Sequence, residues 1–211
     1  MTLPRFYPIL DIDTLNRREC QPAEFAEALL EGGARILQFR LKGHLSRGAF
    51  GIAEQIAAMC REAGALFVVN DRADLAVLLD AGLHVGQEDM DPREARNLIG
   101  AGRVLGFSTH NRMQLEEGDR EPTDYLALGP IYATTSKVNP DPVLGVRALH
   151  DLRGITKQPL VAIGGISRVN ALAALSAGAD SVAVIGDLFP EACAKEHIRA
   201  RAEEWVALVE G

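Results

Sequence analysis

Among the 211 residues of this chain, 47% are hydrophobic and 24% charged, with a formal net charge of −7. That composition fits one compact domain spanning 1–211 and gives no bulk attraction to nucleic acid or to an anionic membrane, so any anionic ligand must be held by local groups. The longest stretch without a charged residue, Tyr125 to Ser136, falls well short of the ~18 apolar residues of a spanning helix. The N-terminus also lacks the layout of a signal peptide, so the expected location is the cytoplasm. Cys20, Cys60 and Cys193 are odd in number and far apart, and read as free, mostly buried thiols.

Eight short apolar runs recur along the chain: Phe6 to Leu10, Ile36 to Phe39, Leu66 to Val69, Leu83 to Val85, Val104 to Phe107, Tyr125 to Leu128, Leu160 to Ile163 and Val182 to Ile185. Between them the spacing turns helical. Phe25, Leu29 and Leu30 form one stripe and Phe50, Ile52, Ile56 and Met59 a longer one. Shorter helical patterns cover 73–79, 92–99, 112–117, 146–152 and 169–177, and a last one runs over 193–209. Asp91-Pro92 is a good helix start, and Gly33-Ala34, Gly64-Ala65 and Gly178-Ala179 sit where helices give way to strands. This repeat predicts an α/β fold, a single (β/α)8 TIM barrel whose site is built from whatever follows each strand. A doubly wound open sheet gives the same local pattern, and the count of eight separates the two.

The strand endings carry the chemistry. After the second strand, Gln38, Arg40 and Lys42 alternate, so all three share one face, and the planar guanidinium and compact ammonium suit a polyphosphate. Asn70-Asp71 follows the third strand and Gly86-Gln87-Glu88-Asp89 the fourth. Carboxylates at neighbouring strand ends can share Mg²⁺ with water and phosphate oxygens, which makes Asp71 and Asp89 metal candidates. Asp71 could instead cap a helix starting at Arg72, and Asp89 a turn. Two acidic ends beside a basic one favour the metal. Asp11 and Asp13 after the first strand are either supporting groups or turn formers. The fifth strand ends in Ser108-Thr109-His110. His84, within an apolar run, reads as a hydrogen-bonded interior group rather than a general base, and His110 has no partner evident in the sequence.

After the sixth strand, Thr134, Thr135, Ser136 and Lys137 supply hydroxyl donors and a positive charge. Gly164-Gly165 and Gly186 follow the seventh and eighth strands, where barrels frequently bind phosphate. The endings add up to two anion sites beside a metal. Arg40, Lys42 and Lys137 suit a diphosphate, and Thr134, Ser136, Gly165 and the amides near Gly186 suit a monophosphate. Two phosphorylated substrates beside Mg²⁺ suggest a transferase.

The chain resembles the thiamine-phosphate synthase family over almost its whole length. The resemblance rests on Gln38-x-Arg40-x-Lys42, Asn70-Asp71-Arg72, His84-x-Gly86-Gln87-x-Asp89, Ser108-Thr109-His110, Gly129-Pro130-x-x-x-Thr134-x-Ser136-Lys137 and Val161 to Ile166. It implies joining 4-amino-5-hydroxymethyl-2-methylpyrimidine diphosphate to 4-methyl-5-(2-phosphoethyl)thiazole, or its carboxylated form, with release of pyrophosphate and thiamine phosphate. By the same resemblance, Gln38, Phe39, Arg40, Leu41, Lys42, Asn70, Ser108 and Lys137 hold the pyrimidine diphosphate, with Arg40, Lys42 and Lys137 catalytic. Asp71 and Asp89 hold Mg²⁺, while Thr134, Thr135, Ser136, Gly165, Ile185 and Gly186 hold the thiazole phosphate. The chain departs from the family pattern at Leu41, where an acidic residue is usual, at Ala133 for a proline, at Ser136 for a threonine and at Gly186 for a serine. Partners are then small phosphorylated substrates, with oligomeric state left open. A thiazole tautomerase of the same superfamily and a non-catalytic thiamine-phosphate binder are the rival readings. The full set of Asp71, Asp89 and Lys137 counts against the first, and the metal carboxylates Asp71 and Asp89 count against the second.

Overall fold

The computed structural model describes residues 2–134 and 141–210. Eight parallel strands close into a barrel in sequence order: β1 (Phe6–Asp11), β2 (Ile36–Arg40), β3 (Leu66–Asn70), β4 (Gly82–Val85), β5 (Leu105–Thr109), β6 (Tyr125–Leu128), β7 (Leu160–Ala162) and β8 (Ser181–Val184). Closure is made by β1, which pairs with β2 through Ile9 to Asp11 and with β8 through Phe6 to Pro8. The open-sheet alternative is thereby excluded.

Helices α1 (Ile12–Arg17) and α2 (Pro22–Glu31) follow β1, and α3 (Arg47–Glu62), α4 (Ala73–Leu78), α5 (Pro92–Ile99) and α6 (Arg112–Gly118) follow the next four strands in turn. Helices α7 (Gly145–Leu152), α8 (Ala171–Ser176) and α9 (Lys195–Glu210) follow β6, β7 and β8. Local chemistry starts several of them. Ser46, Asp91 and Asn111 accept from the amides of Ala49, Arg93 and Gln114 at the first turns of α3, α5 and α6. Helix α1 is absent from the sequence reading because Asp11, which closes β1, also caps it at once, accepting from the Thr14 amide at 2.9 Å. No linker announces the change. The glycines between helices and strands at 33, 64 and 178 take φ of 100°, 63° and 108°, which a side chain would resist.

Alternation along the strands divides the apolar residues into two cores. Tyr7, Ile9, Ile36, Val68, Tyr125, Ala127, Val161 and Ala183 form one cluster, which fills the barrel. Their strand neighbours, among them Phe6, Leu10, Leu37, Phe39, Val69, Leu83 and Leu105, pack outward with the helices. Trp205 of α9 stacks on Phe6 at 5.3 Å between ring centres, holding the last helix against the first strand. Gly106 lies in β5 where a Cβ would stand 2.1 Å from Tyr125 Cζ and 2.5 Å from His84 Nδ1. Strand β5 has no side chain at this level because those two rings occupy the space.

The cysteines correct the sequence expectation. Cys20, between α1 and α2, forms a disulfide with Cys193, ahead of α9, with Cα atoms 5.5 Å apart, whereas Cys60 is free and buried. A separation of 173 residues hides the pair from a linear reading, and barrel closure brings the two segments together.

Two outcomes follow from the packing. Titration of the unfolded protein without reductant should find one reactive thiol, from Cys60, rising to three after reduction; three from the outset would mean Cys20 and Cys193 are not bridged. Gly106→Ala should cost about 1–3 kcal/mol by overpacking, read as a fall of several degrees in Tm, and an unchanged melting curve would show that the two rings yield freely.

Candidate active site

At the C-terminal end of the barrel the strand endings surround a cavity of about 1040 Å³. Of the residues expected to form a site, Gln38, Arg40, Lys42, Asn70, Asp71, Asp89, Ser108, Thr134, Gly165, Ile185 and Gly186 all line it. Thr135, Ser136 and Lys137 lie outside the described residues. Phe39 and Leu41 do not line the cavity. Phe39 is buried in the outer core, 6.4 Å from the Phe67 ring, and Leu41 packs against the same core, because the alternation that points Gln38, Arg40 and Lys42 inward turns these two away.

The cationic wall is held by carboxylates. Arg40 forms an ion pair with buried Asp11, whose other oxygen caps α1. The role left open for Asp11 is therefore to anchor the guanidinium at the end of β2. Arg40 stays largely buried while Lys42 is half exposed, and the ammonium pairs with Asp71 across the β2 and β3 endings. Charge-assisted bonds of this kind fix direction more than they add stability at an exposed site.

Asp71 adopts φ of 63°, a left-handed conformation uncommon outside glycine. It is not the helix cap that its position suggested: α4 begins at Ala73 after Arg72, without a side-chain cap. Instead the strained backbone turns the carboxylate toward Lys42 and Asp89. Burial first, then the hydrogen bond with Asp89, pushes the Asp71 carboxyl up, with Lys42 opposing. For Asp89 burial also acts against ionisation, but Asp71 and the Gly86 amide, which donates at 2.8 Å, hold it below the usual carboxylate range. Two carboxyl groups in contact resist ionising together, and the pair titrates as a unit. A divalent cation held by these carboxylates would offset their mutual repulsion, and the oxygen donor set fits Mg²⁺, which takes one or two carboxylates and completes its shell with water and phosphate. Next to them, the buried amide nitrogen of Asn70 has no hydrogen-bond partner among the described residues. A buried, unpaired donor facing a cavity is placed for an acceptor on a ligand.

The floor is polar, not only apolar. Gln38, Tyr7, Tyr125, His84 and Ser108 are joined by hydrogen bonds of 2.8–2.9 Å from one side of the barrel to the other. His84 is thus the interior hydrogen-bonded group expected. His110 has a partner the sequence did not disclose, the Gly129 carbonyl at 2.6 Å. The two tyrosines were missed as site-supporting groups because each sits in an apolar strand run and reads as core.

On the opposite wall, the segment after β6 lies directly on the end of β7. Ile131 and Tyr132 donate to the carbonyls of Ile163 and Gly164 at 2.8 and 2.9 Å. Gly165, at φ 64°, has no room for a side chain, since a Cβ would stand 2.3 Å from the Ala133 carbonyl oxygen. Arg168 ties this ending to the next through Asp187 at 2.9 Å. Gly186 differs from Gly165: a Cβ there meets nothing within 4 Å, so the missing side chain leaves open space.

Comparison with known proteins agrees with this architecture. The family model for thiamine monophosphate synthase matches residues 6–188. The thiamine-phosphate synthase of Koribacter versatilis is 42% identical over 99% of this chain and 97% of its own length, and that of Bacillus velezensis is 37% identical over 90% and 86%. The solved thiamine phosphate pyrophosphorylase from Pyrococcus furiosus superposes with a TM-score of 0.85 at 33% identity, covering 98% of this chain and 96% of that one. The chain belongs to the thiamine monophosphate synthase family.

Proposed function

We propose that this protein is a thiamine-phosphate synthase, a transferase that joins a pyrimidinylmethyl diphosphate to a thiazole phosphate. The observation that carries the reading is the convergence of Arg40, Lys42, Asn70, Asp71 and Asp89 on one wall of a cavity whose other wall presents Thr134, Gly165 and Gly186. One wall suits a diphosphate with a divalent cation, and the other suits a monophosphate.

In this reading Asp71 and Asp89 hold Mg²⁺, which neutralises diphosphate charge when bound. Arg40, kept in place by Asp11, and Lys42 bind the diphosphate oxygens, and the family resemblance assigns Lys137 to the same group. The bond between the pyrimidine methylene carbon and the diphosphate oxygen breaks with its electron pair leaving on the diphosphate. The cation that remains is stabilised by the aminopyrimidine ring. The thiazole nitrogen then donates its lone pair to the methylene carbon, giving thiamine phosphate. The chain's own work is to bind both substrates in line and to offer fixed positive charge where negative charge grows. Neither His84 nor His110 is needed as a nucleophile, consistent with the structural hydrogen bonds both make.

Incubation with both phosphorylated substrates and Mg²⁺ should release pyrophosphate only when the thiazole is present. A tautomerase would consume the thiazole alone, and a binder would release nothing. Lys137→Ala should lower turnover by roughly 10²-fold, equivalent to about 3 kcal/mol of barrier; unchanged turnover would remove Lys137 from the leaving-group site. Asp71→Asn should shift the magnesium titration to higher concentration, and a curve that overlays the parent would remove Asp71 from the metal.

A further inference from the structure

The buried chain beneath the cavity has a direction. Gln38 Nε2 donates to Tyr7 Oη at 2.9 Å, and an amide nitrogen can only donate. The Tyr7 and Tyr125 hydroxyls lie 2.8 Å apart and either oxygen could donate; because Tyr7 Oη already accepts from Gln38, its own proton is satisfied by donation to Tyr125. Tyr125, accepting from Tyr7, then satisfies its own proton at His84 Nδ1, 2.9 Å away, which requires the tautomer with Nδ1 bare. In a neutral imidazole the other nitrogen then carries the hydrogen, so Nε2 donates to Ser108 Oγ at 2.8 Å. Each link is a single proton, and fixing one end fixes the other.

Burial keeps the links intact. Tyr7 and Tyr125 are 1% and 0% exposed. Burial pushes the Tyr7 phenol up to about 12 and that of Tyr125 well above its ordinary value, so both remain hydroxyl donors. An unmade bond in such a site leaves a desolvated polar group, so the members keep their partners together or lose them together. Gly106 provides the space in which Tyr125 and His84 meet.

The two ends, Gln38 and Ser108, both line the cavity. With its nitrogen engaged by Tyr7, Gln38 offers the carbonyl oxygen, an acceptor. With its oxygen accepting from His84, Ser108 offers its own proton, a donor. From this we infer that Tyr7, Tyr125 and His84 are positioning residues that set the polarity with which Gln38 and Ser108 meet the pyrimidine, and so select a 4-amino ring over a 4-oxo ring. The 4-amino ring carries an exocyclic donor beside a ring-nitrogen acceptor, the complement of what the site offers. A 4-oxo ring reverses both. To accept it, the Gln38 amide must turn over, both tyrosine protons must swing round and His84 must change tautomer.

The inference rests on the proposed synthase reading, and one experiment separates them. The KM of the 4-amino pyrimidine diphosphate and the inhibition constant of its 4-oxo counterpart are measured on the full-length protein, its Tyr7→Phe variant and its Tyr125→Phe variant, with melting curves to establish folding. The parent should favour the amino form by roughly 10²-fold or more. Either variant should reduce that ratio at least tenfold while leaving KM for the thiazole phosphate within twofold. An unchanged ratio in either folded variant overturns the role of the chain while leaving the synthase reading intact. A parent that neither turns over nor binds the 4-amino diphosphate overturns both. The use of two tyrosines keeps the test decisive if one substitution prevents folding, and a residue with only a packing role would not move the ratio.

Discussion

The pairing of β1 with β8 governs the rest of the molecule. Once Phe6, Tyr7 and Pro8 register with Val182, Ala183 and Val184, every strand has two parallel neighbours and no edge remains. All eight strands then end at one rim, and each side chain is committed to the inner or the outer core by its parity. This is why Gln38, Arg40 and Lys42 reach the cavity while Phe39 and Leu41 cannot follow them there. The site is a consequence of closure before it is a consequence of any one residue.

Much of this was legible in the sequence. Strand β6 begins and ends where its apolar run does, and α5 starts at the Asp91-Pro92 signal and stops before Gly100. Both cases are local, a matter of hydrophobic period and cap chemistry. The misses share a different cause. Cys20 with Cys193, Tyr7 with Tyr125 and Asp11 with Arg40 are contacts between residues far apart in the chain, and each partner looks ordinary in its own neighbourhood. Asp71 is the instructive intermediate. Its sequence position allowed a helix cap or a metal ligand, and only its backbone conformation and the start of α4 at Ala73 show that the cap is not made.

The rim is also joined to itself, ending by ending. Arg40 binds Asp11, Lys42 binds Asp71, and Asp71 meets Asp89. Gln87 reaches the Ser108 carbonyl, His110 the Gly129 carbonyl, and Ile131 the Ile163 carbonyl. Arg168 binds Asp187. Each link spans two adjacent strand endings, so the two walls of the cavity belong to one continuous belt of polar contacts. Residues coupled in this way are expected to respond to substitution non-additively around the rim.

The disulfide between Cys20 and Cys193 completes the belt at the place where the polar links stop, and Arg18 lies over the Phe189 ring, 5.0 Å from its centre, at the same seam. Its effect on connectivity is larger than its effect on any one contact. The bridged cysteines bracket β2 to β8, so a single backbone cut anywhere between them leaves both pieces in one covalent molecule. With the bridge closed, the barrel no longer depends on an unbroken main chain to keep its halves together.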